Sequence, residues 1–212
     1  MRVRLRSFTS TLSGAARASL LVSMVACGEV NDPGDVGAKQ VESPPVATHS
    51  GPTTAMLEQA SNAPQLEISS ASFALVQGKP GAFEIRYHDP ASDDPDGPWF
   101  LRITVPQETQ LWDADGSPLA RGDTLTVTVD VDPTKFLVGF EPHGTQFTGE
   151  RPVTLSFKYD YAKMDGRDPA ELRIWYQPMA DAEWSLMPSE VDQKGSMVWM
   201  PLHHFSNYAM AF

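Results

Sequence analysis

Thr124-Leu125-Thr126-Val127-Thr128-Val129-Asp130-Val131 decides the fold. Leu125 and the three valines alternate without a break with Thr and Asp. A strand sends alternate side chains to opposite faces, so this octet has one apolar and one wet face. A helix would scatter the same residues around its axis. The pattern recurs on both sides: Phe83, Ile85 and Tyr87 alternate with Glu84, Arg86 and His88. Leu155, Phe157 and Tyr159 alternate with Thr154, Ser156 and Lys158, and Leu172, Ile174 and Tyr176 with Glu171 and Arg173. Turn-forming pairs separate these segments: Gly78 and Gly81 around Lys79-Pro80, then Asp96-Gly97, Asp115-Gly116, Gly122-Asp123, Asp165-Gly166 and Lys194-Gly195. Asp168-Pro169-Ala170-Glu171 reads as a turn, because the following Ile174-Trp175-Tyr176 prefers a strand. The expectation is an all-β, antiparallel β-sandwich of about nine or ten strands over residues 66–212.

Composition agrees with one such domain. In 212 residues, 41% are hydrophobic and 20% charged, enough for a packed core. Eighteen Pro and fifteen Gly are too many for a helical bundle of this length. The net charge of −11 argues against nucleic acid and against adsorption to an anionic membrane surface.

The first 65 residues read differently. Arg2, Arg4, Arg6 and Arg17 precede a short apolar stretch, Ala18 to Ala26, with no Asp or Glu among the first 26 residues. This is the shape of a cleaved export signal, and no apolar run approaches the roughly 20 residues of a membrane span. The stretch ends Met24-Val25-Ala26-Cys27, which resembles a bacterial lipobox. That resemblance implies lipidation of Cys27 and loss of residues 1–26. Cys27 is the single Cys, so an intramolecular disulfide and a cysteine-rich zinc site are both excluded. Gly28, not Asp, follows it, which fits passage to the outer membrane of the bacterial cell envelope. Losing the four arginines leaves the mature chain more acidic, so lipid alone, through two or more acyl chains, would hold it at the membrane. Residues 28–65 carry Pro33, Pro44, Pro45, Pro52 and Pro64 among small polar residues, and no aromatic residue. They read as a flexible tether reaching roughly 35 Å, with a short helix at Met56-Leu57 as its one structured option.

The second half of the domain resembles a known family. Phe136-Leu137-Val138-Gly139-Phe140-Glu141-Pro142-His143-Gly144, then Gln146-Phe147, then Pro152 to Asp160, is similar to the middle of a ZU5-like β-sandwich. Leu172 to Tyr176, Trp184, Val198 and His204-Phe205-Ser206 with Tyr208-Ala209 continue the likeness to the end. Such domains occur in ankyrins, netrin receptors, a death-domain protein and bacterial surface lipoproteins. The resemblance implies a role in holding or contacting other proteins. It also implies a candidate site. The death-domain member cuts its own backbone between the Phe and Ser of a matching triplet. In a continuous strand His204 and Ser206 share a face, so His204 can serve as the base that activates Ser206 against the Phe205 carbonyl. The plainer expectation is that His204 and Ser206 bond to each other and nothing is cut.

Other chemistry is thin. The chain has no G-x-S-x-G, H-E-x-x-H, Walker or G-x-G-x-x-G motif, so the reading is a non-enzyme without a cofactor. Asp89, Asp93, Asp94 and Asp96 crowd one loop, but their spacing matches no calcium loop and reads as a solvated acidic segment. His88, His143, His203 and His204 show no metal-ligand spacing. Trp175 lies on the wet face by pattern. It is either roofed by the loop around Trp184 or, in a glycan-binding alternative, free to stack on a sugar. Tyr208, Met210 and Phe212 alternate as the last strand of a membrane barrel would, yet Ser206 and His204 would then face lipid, so a core-facing strand explains them better.

Overall fold

The computed structural model describes residues 56–88 and 98–212. The signal segment, Cys27, the tether as far as residue 55, and the acidic loop with its Asp96-Gly97 turn lie outside the described residues.

The described chain is all-β. Its strands are β1 (Ser70–Val76), β2 (Gly81–Arg86), β3 (Trp99–Val105), β4 (Gln110–Trp112), β5 (Thr124–Val131), β6 (Leu137–Glu141) and β7 (Gln146–Thr148). After these come β8 (Val153–Lys158), β9 (Arg173–Gln177), β10 (Ser185–Leu186), β11 (Glu190–Asp192), β12 (Met197–Leu202) and β13 (Asn207–Ala211). One sheet has the order β1-β5-β6-β13-β9-β10, the other β11-β12-β8-β3-β2, and β4 pairs with β7 in a small third sheet. Neighbours run antiparallel throughout.

The octet that decides the fold is β5, and its alternation is the burial pattern. Leu125, Val127, Val129 and Val131 are buried, and Val127 and Val129 are fully so. Burying each is worth about 1.5–3 kcal/mol. Ile85, Leu155, Phe157 and Ile174 reach the same interior from β2, β8 and β9. Aromatic rings knit the two inner faces together: Phe73 of β1 stacks on Phe83 of β2 at 4.3 Å, and Phe136 meets Phe100 of β3 at 5.1 Å. Ser156 departs from the alternation. It is buried although it lies on the outer row, because Arg102 and Trp199 flank it in register. Pro169–Glu171 forms a single 3₁₀ turn capped by Asp168, whose side chain accepts from the Ala170 N–H.

Thirteen strands form among the described residues, where about nine or ten were expected. The surplus comes from pieces of two or three residues, namely β4, β7, β10 and β11.

The boundary between tether and domain also moves. Residues 56–65, expected in the tether, are part of the packed body. Met56, Glu58 and Gln59 make bridges to Ala211, Lys135 and Ala162, and no helix forms there. The Leu57 N–H donates to the Met210 carbonyl at 2.9 Å, and the Phe136 N–H donates to the Leu57 carbonyl at 2.9 Å. Leu57 itself is 3% exposed, inside the core. Main-chain bonds hold this segment, and these need no apolar periodicity to form.

Candidate functional site

His204-Phe205-Ser206 sits where the chain crosses from one sheet to the other, since β12 belongs to the five-stranded sheet and β13 to the six-stranded one. Phe205 plugs the corner. It is fully buried, stacked on Phe140 at 5.0 Å and edge-on to Phe147 at 4.7 Å. The corner backbone is satisfied at each step. Phe147 N–H donates to the His203 carbonyl at 2.8 Å, and Phe205 N–H donates to the Thr145 carbonyl at 2.9 Å. Gly144 N–H donates to the Phe205 carbonyl at 3.2 Å, and Phe140 N–H donates to the Ser206 carbonyl at 3.1 Å. Gly144 turns with a φ of +84°, a conformation that favours glycine.

The corner breaks the expected strand, and the two candidate side chains part. Ser206 is buried, with its hydroxyl 3.1 Å from both the Gln177 and the Pro178 carbonyl oxygens. His204 turns instead to Tyr208, whose phenol lies 2.7 Å from the His204 carbonyl and 3.1 Å from its Nδ1. The phenol has one proton, and the shorter contact takes it, so Nδ1 carries the hydrogen that donates to the phenol oxygen. That leaves Nε2 as the proton-free nitrogen. The ring also packs on Tyr176 at 4.7 Å. Burial, and then the neighbouring His203, lower the His204 pKa, which keeps the imidazole neutral at pH 7. No hydrogen bond joins His204 to Ser206. The expected mutual bond is therefore corrected, and in this structure the base does not engage the hydroxyl. One element of the chemistry is in place, because the Gly144 N–H polarises the carbonyl that Ser206 would attack.

Other candidates fall apart in space. His143 lies between the Pro178 carbonyl, 3.2 Å from Nδ1, and Glu141 Oε1, 3.3 Å from Nε2. His88 and His203 are exposed. Among the described residues no cluster of His, Cys, Asp and Glu could hold a metal ion. Trp175 is 7% exposed, with Leu186 of β10 directly across from it, so it offers no open ring for a sugar.

Tyr208 went unmarked in the sequence as the partner of His204. Its spacing of four residues across a strand-to-strand corner was the available signal, since a tyrosine after such a corner often bonds back to the chain a few residues upstream. Compared with known proteins, the chain matches no family model, no curated protein and no solved structure.

Proposed function

We propose that this chain is a lipid-anchored, extracytoplasmic β-sandwich of the bacterial cell envelope that works as a structural or protein-interaction module, not a catalyst. The observation that carries the reading is Cys27. The single cysteine of the chain stands at the one place a lipobox requires it, behind a basic and then an apolar segment. Residues 28–55 separate Cys27 from the packed segment that begins at Met56. The domain would then stand close to the outer membrane while its loops and sheet faces meet other envelope proteins. The ZU5-like resemblance belongs to the same reading. The non-catalytic role is supported by Ser206, whose hydroxyl is committed to two main-chain carbonyls, and by His204, which is committed to Tyr208. Metabolic labelling with a palmitate analogue tests the anchor. Wild-type protein takes up the label and Cys27→Ala does not; equal labelling of the two removes the proposal.

A further inference from the structure

Beside β11 opens a cavity of about 510 Å³ lined by Ala170, Arg173, Ser189, Val191, Asp192 and Gln193. Two of these side chains bear opposite full charges, and among the described residues no ion pair neutralises either one. They do not pair with each other, so space remains between them.

Main-chain contacts hold both charges in place. Arg173 Nη1 donates to the Ala170 carbonyl at 2.8 Å and to the Leu172 carbonyl at 2.7 Å, which leaves Nη2 and Nε with no acceptor among the described residues. Asp192 Oδ1 accepts from the Gly195 N–H at 3.0 Å, and Oδ2 is left over. The carboxylate lies close against that turn: a Cβ on Gly195 would stand 2.6 Å from Asp192 Oδ2. Charges held this way cost little further ordering when a ligand arrives.

Ala170 and Val191 supply apolar wall.

Opposite charges fixed across one cavity select the ligand. Arg173 repels a simple cation, and Asp192 repels a simple anion. A molecule with an ammonium and a carboxylate on one carbon satisfies both. We propose that this cavity binds an α-amino carboxylate, with the carboxylate on Arg173 and the ammonium on Asp192. Two sources share that chemistry: a free amino acid, or a peptide side chain that ends in such a centre, as diaminopimelate does in cell-wall peptides. Only the second source rests on the envelope reading, and Cys27 labelling tests that reading independently of the cavity.

The experiment is calorimetric titration of the purified full chain with glycine and with meso-diaminopimelate. Acetate and methylammonium serve as single-charge controls, and co-sedimentation with diaminopimelate-containing peptidoglycan sacculi forms a separate arm. The zwitterions are expected to bind at least about tenfold more tightly than either control. Arg173→Gln and Asp192→Asn are each expected to weaken binding about tenfold or more, with the thermal midpoint unchanged. Glycine binding assigns the free amino acid. Binding to sacculi and diaminopimelate without glycine assigns the peptide-borne centre. Failure to bind any of the three, controls that bind as tightly, or binding that survives both substitutions overturns the proposal.

Discussion

Tyr208 holds the sheet-crossing corner by bonding to both the carbonyl and the ring of His204. Tyr208→Phe strips both bonds and leaves a part-buried carbonyl short of a donor, so urea unfolding is expected to show a loss of about 1–3 kcal/mol. The same residues set a pH dependence. The folded pKa of His204 is lowered, so the unfolded chain takes up its proton first. The stability this residue contributes is complete above the unfolded value near 6.5 and is lost as pH falls through the folded value. His204→Gln is expected to flatten that acid-side slope in urea titrations at successive pH values. Tyr208 shifts upward, chiefly through burial, so its contribution is complete below about pH 10 and declines as pH rises beyond it. The triplet itself was legible in the sequence, but its geometry was not. Same-face placement of His204 and Ser206 assumes a continuous strand, and a switch between sheets leaves no periodic mark. Denatured protein held for days at neutral pH beforehand is expected to give one mass ending at Phe212. Loss of a Ser206–Phe212 peptide, abolished by Ser206→Ala, would show that the corner cuts itself.

Strands long enough to show their period were readable. β2 and β5 each alternate over six or more residues, β8 does so apart from Ser156, and their apolar sides line the core. β4, β7, β10 and β11 are too short for a period of two to stand out, and pairing with a neighbour is what makes them strands. The segment from Met56 to Ala60 was hidden for a related reason. It carries one buried apolar side chain, Leu57, among polar and small residues, and its docking comes from main-chain bonds to residues 134, 136, 161 and 210. Leu57→Ala is expected to destabilise the domain by about 2–4 kcal/mol in chemical denaturation, whereas a residue in a free tether would change nothing. The Arg173 and Asp192 pair was equally silent. The two residues lie in separate strands, and neither belongs to a motif, so only the fold brings them to one cavity.

At the scale of the whole molecule, a β-sandwich packed from Met56 onward stands behind an amino-terminal stretch whose character is written in its sequence. The sandwich depends on no disulfide, since Cys27 is the single cysteine. The full chain carries a net charge of −11, and on the proposed loss of residues 1–26 it would become more negative, so acyl chains rather than electrostatic attraction would have to hold it at an anionic bilayer. The most direct measurement is peptide-level mass spectrometry of the protein extracted from membranes. The expected amino-terminal peptide begins at Cys27, lacks residues 1–26 and carries a diacylglyceryl group on the sulfur. A peptide that retains residues 1–26, or one that begins at Cys27 with a free thiol, would contradict the lipid-anchored account.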